Sequence, residues 1–229
     1  MQVDSTLTGA FSPNLESSIS ILRELHEGRI IKVSLELSGL RHILNPEKPK
    51  FQYYLNLIRW PNPLNHYDDE AKKFLAQLDN KIRSKVFLKT SYDDVVALCK
   101  ELAVMESCSF LIHMGDEFKL PIKIGPKTIT IIERAVTTYS VAQVYNFIWR
   151  ACKFSAKYAR DKNIPSIRAA NAVIGNIERS MDRALADNWE IKAFRRNHAL
   201  PQSIVSRVLF NDMLHTNDGG FHQVISDIL

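Results

Sequence analysis

Four basic side chains recur at helical spacing in the second half of the chain: Arg150, Lys153, Lys157 and Arg160. Intervals of 3, 4 and 3 residues place them on one face of a helix. Lysine and arginine in such a row can bind successive phosphates of a nucleic acid. The only acid between residues 141 and 162 is Asp161, which is within reach of Lys157 alone. We call these four residues the basic ridge and predict that they contact phosphates.

Aromatic side chains and neighbouring acids refine this prediction. Trp149 and Phe154 lie beside the basic ridge in sequence and could stack on a base. In the next predicted helix Arg179 can pair with Asp182, and Arg183 can pair with Asp187. We therefore expect nearby acids to neutralise these two arginines. An alternative is that the basic ridge is a solvated surface that pairs with acids of the front half of the chain or of a partner protein.

Three more arginines, Arg195, Arg196 and Arg207, are candidate secondary contacts to nucleic acid. They lie in the stretch IKAFRRNHALPQSIVSRVL, which resembles the DNA-reading helix-turn-helix of lactose-repressor-type regulators. The match consists of Ser203 and the run Val205–Leu209. The resemblance implies that this second helix enters the major groove with the polar residues at its start.

The stretch departs from the helix-turn-helix pattern at packing positions. Arg195, Asn197 and His198 stand where the first helix needs small or apolar residues, and Ala199 stands where the turn usually has glycine. The alternative is an ordinary amphipathic helix from about residue 201 to 214 with one buried apolar face.

Catalytic and metal-binding patterns are weaker. His66 and Asp69 could supply an acid-base pair, which keeps open a nuclease or toxin with a site assembled from scattered residues. Capping of a helix by Asp68 explains the same cluster without catalysis. Cys99, Cys108 and Cys152 are expected in the core, and their spacing fits no zinc site. We therefore expect no catalytic residue, metal or cofactor.

The positive charge is confined to one part of the chain. Residues 134–207 hold 13 basic and five acidic side chains, a net charge of +8, whereas residues 1–133 are neutral and residues 208–229 carry −3. Such asymmetry indicates an anionic partner. The chain shows no signal peptide and no apolar run of transmembrane length. Together with three widely spaced cysteines, this predicts a cytoplasmic protein with no membrane partner.

The elements that position these residues are predicted from periodicity. Residues 31–37 alternate like a strand, residues 120–132 suggest two strands or a strand and an extended connection, and residues 141–162 and 166–188 are helical. We therefore expect a predominantly helical α+β protein, with a small sheet and helices in residues 1–135. Residues 136–229 would form an all-helical basic module, and the two parts could be one continuous domain.

These observations favour a non-enzymatic accessory protein that associates with DNA or RNA through the basic helical face. The first alternative is an interaction subunit that docks an acidic protein, including its own acidic tail in a homo-oligomer. The second is the nuclease or toxin described above.

Overall fold

The computed structural model describes residues 11–27 and 69–228. Helices make up most of this part of the chain. In chain order they are α1 (Leu15–Glu27), α2 (Asp69–Ile82), α3 (Lys85–Thr90), α4 (Tyr92–Glu117), α5 (Pro126–Thr138), α6 (Val141–Asp161), α7 (Ser166–Ala186), α8 (Ile204–Arg207), α9 (Gly219–His222) and α10 (Ile225–Ile228). A π-helical turn at Val208–Met213 continues α8.

The expected small sheet is wrong, because the described residues contain helices and no strand. Residues 120–125 form neither a helix nor a strand, and α5 occupies 126–138. Pro126 suits the first position of a helix, and the buried residues Thr128, Ile132 and Ala135 follow a helical spacing. Isoleucine and threonine at alternate positions imitate a strand there. The predicted strand at residues 31–37 lies outside the described residues.

The predicted helices of the second half are confirmed. Helices α6 and α7 begin at the expected residues and end within two residues of the expected ends. Helix α6 begins with a capping box. The backbone amide of Gln143 donates to Ser140 Oγ at 3.3 Å, and the backbone amide of Ser140 donates to Gln143 Oε1 at 3.0 Å. This pair of bonds sets the first turn of the helix that carries the basic ridge.

One hydrophobic core joins α4, α5, α6 and α7. Helix α6 packs against α7 and α4, and α5 packs against α4 and α7. Phe110 of α4 stacks on Tyr145 of α6 with ring centroids 3.7 Å apart, and Phe221 of α9 meets Tyr145 edge-on at 5.1 Å. Buried residues on both sides of residue 135 belong to this core. The division near residue 135 stays a prediction, because much of residues 1–135 lies outside the described ranges.

The chain between α7 and α8 contains no helix, so the helix-turn-helix expectation is wrong. Residues 190–203 are extended or turn, and the first helix of that motif is therefore missing. Ser206, a polar residue of the supposed reading helix, is fully buried. The expected helix near residues 201–214 is confirmed as α8 and its π-helical continuation. Within the described ranges no helix is both long enough and apolar enough to cross a bilayer.

Candidate nucleic-acid interface

Helix α6 separates a buried face from a charged one. Tyr145, Ile148 and Cys152 are at most 1% exposed and hold α6 in the core. All four residues of the basic ridge are exposed, and none of them forms an ion pair with any residue in the described ranges. The predicted juxtaposition of the ridge on one helical face is therefore present in the structure.

The acids near the ridge do not neutralise it. Asp161 is exposed and forms no ion pair with Lys157 within the described part of the chain. The local pairs predicted for α7 are wrong as well. Asp182 accepts from Arg134 of α5 at 3.0 Å, and neither Arg179 nor Arg183 forms an ion pair within the described ranges. Arg134 also lies 3.7 Å from Glu178. Glu178 and Asp182 of α7 thus pair with α5 and do not neutralise the basic ridge of α6.

Two exposed aromatic rings accompany the basic ridge. Phe154 is 61% exposed and Tyr158 is 48% exposed. The two rings are one helical turn apart and nearly parallel, with centroids 6.4 Å apart and planes inclined by 7°. The sequence predicts stacking by Phe154 and does not single out Tyr158. The signal that could have found Tyr158 is its i,i+4 relation to Phe154.

Trp149, the other aromatic candidate, is already engaged. It is half-buried, and the ring of Phe194 meets it edge-on at 5.9 Å. The ammonium of Lys153 lies 4.5 Å from its ring centroid, a cation–π contact. Trp149 therefore supports Lys153 and is less available for stacking than Phe154.

The extended segment after α7 lies along the first half of α6. Asn146 Nδ2 donates to the carbonyl of Lys192 at 2.8 Å, and the amide of Phe194 donates to the carbonyl of Ala142 at 2.9 Å. These bonds place the backbone of Lys192 and Phe194 beside the first turns of α6, and the side chains of Lys192 and Arg195 are exposed. Lys192 is a further cation that sequence reasoning missed, because its neighbourhood arises only from this packing.

Arg196 lies in a different environment from Arg195. Its side chain is 16% exposed, and its Nη2 lies 3.0 Å from Glu106 Oε2 and 2.8 Å from Asp218 Oδ1. Nε of Arg196 also donates to Asp218 Oδ2 at 2.9 Å, and the guanidinium lies 4.3 Å from the ring centroid of Phe221. Both carboxylates already bind this guanidinium, so Arg196, unlike the prediction from sequence, is not available to contact phosphates.

Two serines complete the buried cluster around Glu106. Ser206 Oγ donates to Glu106 Oε1 at 2.8 Å, and Ser203 Oγ donates to Ser206 Oγ at 2.9 Å. Burial raises the pKa of Glu106, with a smaller opposing effect from Arg196. Asp218 binds the same guanidinium through two hydrogen bonds, and its negative charge adds to the rise in the pKa of Glu106. The cluster ties α4 to the C-terminal segment.

A small cavity beside this cluster offers little room for a ligand. It measures about 70 Å³ and is lined in part by Glu106, Tyr145, Arg196 and Ser203. A cavity of this size admits water molecules and leaves little room for a larger ligand. The polar side chains around it bond to one another, so the arrangement is suited to structural closure of the fold.

Arg207 is the last residue of α8, which continues directly into the π-helical turn. It is partly exposed and has no ion-pair partner among the described residues. The structure therefore gathers Arg150, Lys153, Lys157 and Arg160 on one face of α6. Arg195 lies in the segment beside the first turns of α6, and Arg207 lies on a separate element.

The alternative chemical sites gain no support from their surroundings. Cys99, Cys108 and Cys152 are buried, and burial raises the pKa of these thiols to about 12, about 11 and about 12. Such thiols remain protonated and unreactive near neutral pH. His66 lies outside the described residues, and Asp69 begins α2. Across residues 11–27 and 69–228, no three His, Cys, Asp or Glu side chains are grouped to hold a metal ion.

Comparison of the chain with protein-family models, with curated proteins and with solved structures found no match.

Proposed function

We propose that this protein is a non-enzymatic accessory protein that binds nucleic acid through the basic ridge of α6. The observation that carries the proposal is a row of four exposed cations on one helix without an ion-pair partner in the described part of the chain. A phosphate backbone supplies negative charge at regular spacing and gains from the release of its counterions when cations approach. Lys192 and Arg195 would extend the contact, and Arg207 stays a secondary candidate.

Salt dependence is the first quantitative expectation. If all four ridge cations displace counterions, the logarithm of the association constant falls against the logarithm of salt concentration with a slope of about −3.6 for duplex DNA or about −2.8 for a single strand. Binding of this kind is sensitive to charge and indifferent to sequence, because phosphate contacts position a protein without reading bases.

The test is a fluorescence-anisotropy titration of labelled DNA and RNA at several salt concentrations. We expect Lys153→Glu with Lys157→Glu to abolish measurable binding, since two attractions become repulsions. The matched control is Lys100→Glu with Lys127→Glu, which changes the net charge equally on exposed positions of α4 and α5. Control binding should stay within a fewfold of wild type, with the fold of both variants verified by thermal melting.

Equal affinity of the ridge variant and wild type would overturn the proposal. In that case the basic ridge would more readily dock an acidic protein, and light scattering and pull-down at high salt would reveal such a complex. The acidic tail of the chain, residues 208–229, is a weaker candidate for the acidic partner of the basic ridge. Asp218, one of its three acids, is already bound by Arg196.

A cytoplasmic location is part of the same proposal. It is supported by three cysteines that are free and buried in the core, as expected of a protein that needs no disulfide.

A further inference from the structure

We infer that the face of α6 selects single-stranded over double-stranded nucleic acid, with unpaired bases stacking on Phe154 and Tyr158. This inference rests on the proposed function and adds to it the class of nucleic acid. The basic ridge accounts for attraction to any phosphate backbone and does not require aromatic rings. Phosphate binding therefore does not explain why two aromatic rings are exposed beside the basic ridge.

The position of the rings suits contact with a strand that follows the ridge. Phe154 directly follows Lys153, and Tyr158 directly follows Lys157, so each ring flanks one cation of the ridge. On a helical projection both rings lie along the same edge of the charged face. A backbone bound by the cations would therefore have its bases within reach of a row of two rings.

The orientation of the rings also favours two consecutive bases. Their planes differ by only 7°, and their centroids are 6.4 Å apart. Two nearly parallel surfaces one helical turn apart can receive neighbouring bases of one strand in the same orientation. Aromatic side chains beside a positively charged groove are the usual means by which proteins bind single strands without sequence preference.

A duplex cannot use these rings in the same way. Its bases already stack on one another, and only their edges are accessible in the grooves. Exposing a base face to Phe154 or Tyr158 would require unstacking neighbouring base pairs, which is unfavourable. A duplex is therefore held by the cations alone, whereas a single strand gains both the charge contacts and the stacking.

The expected difference in affinity follows from the strength of stacking. Base–aromatic stacking contributes about 1–3 kcal/mol per base, which corresponds to about 5-fold to 150-fold in Kd. We expect wild type to prefer a single strand over a duplex by at least about fivefold at equal salt. Phe154→Leu with Tyr158→Leu should remove this preference while leaving the salt slope on duplex unchanged.

The experiment uses the full chain and three fluorescein-labelled probes of about 15 nucleotides, within the range of known single-strand sites. One is a mixed-sequence single strand, the second its duplex, and the third a strand of abasic residues that keeps the phosphates. Tyr92→Leu is the matched control, because Tyr92 is also 48% exposed but lies at the start of α4 beside two acids. Leucine retains apolar character and helix propensity in every variant.

The inference is supported if wild type binds the normal strand more tightly than both other probes and only the double ring variant loses that difference. It is overturned, with the proposed function left standing, if wild type binds all three probes equally or the ring variant keeps the preference. Absence of binding to every probe overturns both. If none of the three probes binds, co-sedimentation of the protein with vesicles of phosphatidylcholine and phosphatidylserine would assign the face to an anionic lipid surface.

Discussion

The number of positive charges in a segment does not determine how many of them can meet a ligand. Arg195 and Arg196 are adjacent, but Arg195 is exposed and Arg196 is enclosed by Glu106 and Asp218. The enclosed guanidinium satisfies two carboxylates and covers the ring of Phe221. Arg196 therefore contributes to the stability of the fold, and Arg195 remains available to a partner.

We expect Arg196→Ala to lower the free energy of unfolding by about 1–3 kcal/mol, because it leaves largely buried oxygen atoms of Glu106 and Asp218 without their hydrogen-bond donor. Urea unfolding followed by circular dichroism measures this change. Arg195→Ala is the matched control and should change the free energy by no more than about 0.5 kcal/mol, as usual for an exposed residue. Similar losses in the two variants would contradict the structural role of Arg196.

At the scale of elements, local signals predicted the helices that carry the site. The capping box at Ser140 and the apolar stripe opposite the ridge define α6 without help from distant residues. Helix α5 shows the reverse, since β-branched residues at 128–132 follow both a strand and a helix pattern. The segment forms a helix because its apolar residues are then buried against α4 and α7.

Glycine inside α7 gives a test of how far local preference controls an element. A Cβ at Gly175 meets no atom within 4 Å, so Gly175→Ala should stabilise the protein by about 0.5–1 kcal/mol through helix propensity. In Gly115→Ala on α4, the added Cβ would lie 2.9 Å from the carbonyl oxygen of Leu120. We expect Gly115→Ala, the control, to destabilise the protein. If urea unfolding showed that Gly115→Ala and Gly175→Ala stabilise it equally, the close packing of α4 at Gly115 would be contradicted.

At the scale of the whole molecule, Glu106 joins distant parts of the chain. It lies on α4 and binds Ser206 on α8 and Arg196 in the extended segment. The same cluster holds Asp218, whose backbone adopts φ 67° just before α9. The C-terminal segment is thereby closed onto the core through buried polar contacts as well as through Phe210 and Phe221.

The raised pKa of Glu106 predicts a pH dependence of stability. In the unfolded state Glu106 has a pKa of about 4.3. At pH values between this pKa and the higher pKa of the folded state, Glu106 is protonated in the folded protein and ionised in the unfolded one. Stability from this group is therefore complete below about pH 4.3 and is lost as the pH rises through the folded pKa, by up to about 1.4 kcal/mol per pH unit.

Urea unfolding of wild type and Glu106→Gln across this range isolates the effect, because other titrating groups are common to both proteins. We expect the stability of wild type relative to the variant to fall with rising pH and then to level off. A relative gain with rising pH would mean that Arg196 lowers the pKa of Glu106 below its usual value.

The sequence by itself determined the helices from residue 141 to 186, the basic ridge on one of them and the buried cysteines, because each depends on spacing within a single helix. Tertiary structure alone decided that Arg196 is enclosed, that Lys192 and Arg195 lie beside α6, and that Asp182 faces Arg134. Those facts depend on contacts between residues distant in sequence, such as Glu106 with Ser206. Residue type gives a charge its sign, but only packing decides whether another part of the chain already neutralises it.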